Sequence, residues 1–133
     1  MVIGTVENPP LRGTVADMLA QKGATIHGIA PDATVYEAIE QMDQRRVGAL
    51  LVMRGEQLLG VISERDYTSK VILMGRASKE TLVEEIMSSG VISVRSDTSL
   101  GECLKVVTDR HIRHLPVLDA AGKVLGVLSI GDL

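Results

Sequence analysis

Two stretches decide the fold: residues 29–39, IAPDATVYEAI, and residues 94–104, VRSDTSLGECL. Laid over each other at a shift of about 65 residues, Asp32 meets Asp97, Thr34 meets Ser99 and Glu37 meets Glu102. The apolar positions agree as well. Self-similarity of this kind marks a duplicated structural unit. The match runs on, with VGALLVM at 47–53 against IRHLPVL at 112–118. A one-residue insertion in the second copy then sets GVISERD at 60–66 against GVLSIGD at 126–132.

Each copy reads locally in the same way. Thr34 with Glu37, and Ser99 with Glu102, have capping-box spacing, in which a hydroxyl takes an orphan N–H and a carboxylate reaches back. Each box opens a helix. Val35, Ala38, Ile39 and Met42 form one apolar stripe at helical spacing, and Leu100, Cys103, Leu104 and Val107 form the other. Residues 49–53 and 58–63 are short apolar strands around a turn with Gly55, and 115–118 and 124–129 repeat them. Residues 67–74 continue as a helix that Gly75 ends, and Ser78 or Thr81 caps the next. An amphipathic segment precedes each copy, at 15–19 and 83–87. The fold class is therefore α/β (α+β), with two tandem β-α-β-β-α repeats. The boundaries are 1–13 for a lead-in, 14–75 for the first repeat and 76–133 for the second. So small a unit leaves apolar faces bare, so the repeats are expected to pack about a pseudo-twofold axis with two equivalent clefts, a common setting for ligands.

Composition narrows the function. Hydrophobic residues are 45% of the 133, enough for a core, but aromatics are only Tyr36 and Tyr67, so that core is aliphatic. Cys103 stands alone and forms no internal disulfide, which fits a cytoplasmic setting. Neither a signal peptide nor a membrane-spanning run is legible. The net charge of −3 argues against broad attraction to nucleic acid. Local basic clusters still suit a small anion: Arg45 and Arg46, Arg65 with Lys70, and residues 110–114. His111 and His114 stand at i, i+3, but the flanking Arg110 and Arg113 repel a cation, so no metal site is expected. Cys103 lies on the apolar stripe and reads as core. No nucleophile triad, Walker loop or dinucleotide fingerprint appears, so the chain is not read as an enzyme and no catalytic cofactor is expected.

The doubled PDATVYEAI/SDTSLGECL start, the RHLPV of 113–117 and the doubled GVIS/GVLS close resemble the CBS-domain (Bateman) module over residues 14–133. The compact, stand-alone bacterial type is the most similar, through residues 63–71. The resemblance implies adenosine-nucleotide binding: AMP, ATP, ADP or NAD. It implies ribose contacts from Ser63 and Asp66, and from Ser129 and Asp132. An ionised carboxylate is an acceptor-only group, and a vicinal diol offers it two donors. The plain alternative is that each Asp caps the helix that follows. Phosphate contacts fall on Arg65, Lys70, Arg46, Arg113 and His114, which otherwise read as solvated charges. The adenine pocket falls on Thr25, Ile26, His27, Val47, Gly48 and Ala49 in one copy. In the other it falls on Gly90, Val91, Ile92, Leu115 and Pro116 beside His114. The alternative for these is ordinary core.

The copies are unequal. Glu64 and Arg65 in the first motif become Ile130 and Gly131 in the second. Most members of the family carry a further helix there, so the second site is expected to be incomplete. The resemblance implies a regulatory sensor that pairs as a homodimer, through segments such as 18–19, 39–42, 86–87 and 104–107, and signals to an effector protein. Its rivals are a regulatory insert of a larger enzyme of the IMP-dehydrogenase kind and a structural dimerisation module with inactive sites.

Overall fold

The repeat is visible in backbone geometry position by position in the computed structural model, which describes residues 13–23 and 25–129. The elements are α1 (Val15–Lys22), β1 (Gly28–Ile29), α2 (Val35–Arg45), β2 (Ala49–Arg54), β3 (Gln57–Ser63), α3 (Glu64–Tyr67), a π-helical turn (Thr68–Ile72), α4 (Val83–Ile86), β4 (Val94–Arg95), α5 (Leu100–Arg110), β5 (His114–Leu118) and β6 (Val124–Ser129). They build two three-stranded sheets, ordered β1-β2-β3 and β4-β5-β6. In each, the first pair is parallel, as the crossover helix requires, and the second is an antiparallel hairpin. Even the irregularity is copied. The register slips between Val52 and Met53 in one hairpin and between Val117 and Leu118 in the other. The inserted residue lies in the second turn, where the Asp119 carboxylate accepts the Ala121 and Lys123 amides.

Helix ends follow from local sequence. The Thr34 hydroxyl accepts the Glu37 N–H at 3.1 Å, and Ser99 accepts that of Glu102 at 3.1 Å. The return arm at Thr34 differs from the expected box, since Glu37 takes the Thr34 hydroxyl. Both long helices close in a left-handed residue, Arg46 at φ 56° and His111 at φ 54°. Val47 N–H then reaches back to the Met42 carbonyl and Ile112 N–H to that of Val107, a Schellman closure.

The chain divides into two compact units. One is His27–Val91; the other joins the described residues up to Ile26 with those from Ile92 onward. The repeats written in sequence as 14–75 and 76–133 are thus cut differently by packing. In the His27–Val91 unit, α4 docks on the loop before α2: Val83 N–H meets the Ala33 carbonyl, Glu84 N–H that of Pro31, and Val35 N–H that of Thr81. In the other unit α1 repeats this arrangement. Val15 N–H meets the Thr98 carbonyl, Ala16 N–H that of Ser96, and Leu100 N–H that of Gly13. These bonds satisfy orphan donors at four helix starts.

The cores follow the same logic. Val35, Ala38, Met42, Leu50, Val52 and Ile62 are buried with Val83 and Ile86 from α4. Leu100, Cys103, Val107, Leu115, Val117 and Leu128 are buried with Val15 from α1. In the segments expected to supply a dimer face, Met42, Ile86 and Val107 are buried in the cores, while Ile39, Leu104, Met18 and Met87 pack against them only partly buried. The large apolar side chains left exposed include Ile72, Leu73 and Met74.

Two details between 64 and 86 depart from expectation. The helix expected over 67–74 is a short α3 followed by a π turn, in which Leu73 N–H reaches the Thr68 carbonyl. The Thr68 and Ser69 hydroxyls bond to the carbonyls of Glu64 and Arg65, four residues back, and so compete with the α-helical ladder. Nor do Ser78 and Thr81 cap α4. Leu82 holds that position, its N–H bound by Glu85, while the buried Thr81 hydroxyl donates to the Ala77 carbonyl.

Candidate functional site

In the His27–Val91 unit the sheet register decides what meets what. Ala49 pairs with Ser63, and His27 precedes the β1 residue that pairs with Leu51. The Leu51 N–H donates to the His27 carbonyl. The start of β2, the lead-in to β1 and the end of β3 therefore share one end of the sheet. Glu64 N–H donates to the Gly48 carbonyl at 3.0 Å, which closes the corner.

Ser63 is the last residue of β3 and the N-cap of α3. Its hydroxyl accepts the Asp66 N–H at 3.2 Å. Asp66 Oδ2 accepts both the Ser63 N–H at 2.9 Å and the Ser63 hydroxyl at 3.0 Å. Asp66 Oδ1 faces the Lys70 ammonium at 3.0 Å, and the carboxylate side chain is only 13% exposed. Lys70 Nζ also donates to the Ile86 carbonyl at 2.9 Å. The structural alternative for Asp66 is thus present in full: it caps α3. The corner nonetheless holds a nearly buried carboxylate at the end of a sheet.

The other named residues differ in exposure and in the unit to which they belong. Gly48 has no side chain to fill the corner; a Cβ there would stand 3.2 Å from Glu64 Oε1. Val47 packs against the core. Arg46 and Arg65 are exposed, Arg46 two residues before Gly48 and Arg65 on α3. Arg45 Nη1 stands 3.3 Å from His27 Nδ1. Thr25 and Ile26 are exposed and fall with the other unit.

In that unit His114 pairs with Ser129, the counterpart of Ala49 with Ser63. Leu115 and Pro116 are fully buried, so their side chains belong to the core. Arg113 is exposed, His114 and Ile92 are half-buried, and Gly90 and Val91 fall with the His27–Val91 unit. Asp132, with Ile130 and Gly131, lies outside the described residues.

Among the described residues no three His, Cys, Asp or Glu side chains gather in a metal-binding group, and no helix is long and apolar enough to cross a membrane. The CBS-domain family model matches residues 24–72 and 83–133. The chain belongs to the CBS-domain family.

Relatives of this CBS chain are found among curated proteins and solved structures. The CBS domain-containing protein CBSX3, mitochondrial, of Arabidopsis thaliana is 41% identical over 90% of this chain and 62% of its own length. A solved protein with CBS domains from Burkholderia ambifaria MC40-6 superposes with a TM-score of 0.86 at 46% identity, over 90% of this chain and 89% of that one. A CBS domain protein of Pyrobaculum aerophilum, complexed with AMP, shares the fold with a TM-score of 0.81 at 23% identity, over 90% and 89%. The chain spans 62%, 54% and 65% of the lengths of three curated relatives it matches.

The CBS pattern alone left two contacts unseen. Lys70, read as a phosphate donor, is held between Asp66 and Ile86, and that second partner is a backbone carbonyl sixteen positions away. Gly60, the first residue of the motif, lies against the Met87 side chain and the Ser88 carbonyl. A Cβ there would stand 2.7 Å from the Ser88 carbonyl oxygen and 2.8 Å from Met87 Sδ. The signal for Gly60 was in the sequence, as the glycine at the head of each motif copy.

Proposed function

We propose that this CBS chain is a regulatory, non-catalytic module that binds an adenosine nucleotide of the AMP, ADP, ATP or NAD type. The Asp66 carboxylate receives the ribose diol, with Ser63 beside it. Arg46 and Arg65 receive phosphate, and the small residues Gly48 and Ala49 let the base approach backbone groups. Ser129 and Asp132 form the second ribose pair, with Arg113 and His114 on its phosphate side. The observation that carries this reading is the Asp66 carboxylate, 13% exposed and bonded to Ser63, the end of β3 that pairs with Ala49. A ligand that prefers one conformation of the module shifts its equilibrium, which a homodimer mate or an effector protein can read. The single cysteine, buried as Cys103, suits the reducing cytoplasm.

Calorimetry with AMP, ADP, ATP, NAD and S-adenosylmethionine tests the proposal. At least one should bind below millimolar, and Asp66→Asn should weaken it by about tenfold or more, the loss expected for hydrogen bonds to a charged group. If none binds, the module is a scaffold.

The partial span of the relatives favours a second arrangement, in which the same sensor is the regulatory part of a longer protein. A longer reading frame carrying an enzyme domain would support it.

A further inference from the structure

We propose that Lys70 selects the ligand class at this corner by competing for the Asp66 carboxylate, so that a phosphorylated nucleoside is accepted and a neutral nucleoside is disfavoured. This rests on the reading of Asp66 as the ribose acceptor. A carboxylate has about four acceptor positions. Oδ2 already accepts the Ser63 N–H at 2.9 Å and the Ser63 hydroxyl at 3.0 Å, while Oδ1 holds Lys70 at 3.0 Å. That leaves one position, and a vicinal diol brings two donors.

One bond must therefore be released. The Ser63 bonds are three residues long, and one comes from the backbone. Losing them opens the start of α3. The Lys70 bond is carried by a long, flexible side chain that is 43% exposed, so the ammonium is the group that yields. It then also leaves the Ile86 carbonyl, 2.9 Å away. A neutral nucleoside offers the displaced charge nothing in return. A phosphate on the same ribose does, and an ammonium with three rotatable donors suits an anion whose direction varies. Lys70 is then a gatekeeper as well as a phosphate contact: it occupies the carboxylate when the corner is empty and moves to phosphate when it fills.

The test is calorimetry of adenosine and AMP, at one salt concentration, on the full chain and on Lys70→Met and Lys70→Arg. Lys70→Met should tighten adenosine and weaken AMP, so that the preference for AMP falls by at least about tenfold, while Lys70→Arg keeps it. Lys70→Gln carries the same comparison if the methionine variant does not fold. An unchanged preference in the neutral variants, with AMP still bound, overturns the role of Lys70 and leaves the ribose reading standing. Absence of binding of either ligand to the unmodified chain overturns both.

Discussion

Ser63 serves its own helix before it serves any ligand. Its hydroxyl accepts from Asp66 N–H and donates to Asp66 Oδ2, so one side chain satisfies the amide and orients the carboxylate. Ser63→Ala should lower stability by about 1 kcal/mol, the usual cost of losing an N-cap hydroxyl. Urea unfolding reads this as a lower midpoint at unchanged slope. An unmoved midpoint would mean that the cap contributes nothing. At this scale the sequence was informative where partners are local. Ser63 and Asp66 stand three apart, so capping chemistry places them. Lys70 shows the limit: its i, i+4 spacing from Asp66 was legible, but the Ile86 carbonyl belongs to α4, and side-chain type says nothing about a backbone acceptor across the fold.

Elements meet most closely where β3 passes under the segment after α4. Val61 and Ser88 exchange backbone hydrogen bonds there, and Gly60 makes room for Met87 and Ser88. Gly60→Ala drives a methyl against a carbonyl oxygen that is itself held by the Val61 amide. A loss of roughly 1–3 kcal/mol is expected, as for overpacking in a filled interior. Thermal melting checks it; a variant as stable as the parent would place the segment farther from the strand. At the start of α4, Glu85 accepts the Leu82 N–H and pairs with Arg76, which together hold its carboxyl below the usual carboxylate range. A carboxyl lowered by folding adds stability above its unfolded range and loses it as pH falls through its folded value. Glu85→Gln should therefore destabilise at neutral pH and match the parent in acid. Equal stability of the two at neutral pH would contradict the pairing. The strands and long helices were legible because their periods are strong, and β6 begins and ends where the apolar alternation does. The π turn was not, because the residue types of Thr68 and Ser69 do not announce it, and their hydroxyl bonds to the Glu64 and Arg65 carbonyls exist only once the turn is formed.

Duplication governs the whole molecule. It repeats the sheets and long helices, which the alignment of the chain with itself foresaw, and the hairpin slips and Schellman closures, which only the backbone geometry shows. The grouping of α1 with the second repeat and of α4 with the first could not. Both are short apolar segments next to the repeat they precede, and their partners are loop carbonyls at Thr98 and Ser96, and at Ala33 and Pro31. The two ends of the duplication also diverge chemically. Glu64 and Arg65 have Ile130 and Gly131 as counterparts, so the second copy lacks a basic residue where the first has Arg65. The central claim is that the Asp66 carboxylate grips a ribose diol. Its most direct measurement is the affinity of the unmodified chain for AMP against 2′-deoxy-AMP, repeated on Asp66→Asn. Loss of one hydroxyl should weaken binding by about tenfold or more in the parent and by much less in the variant. Equal affinity of the parent for the two nucleotides would contradict the account.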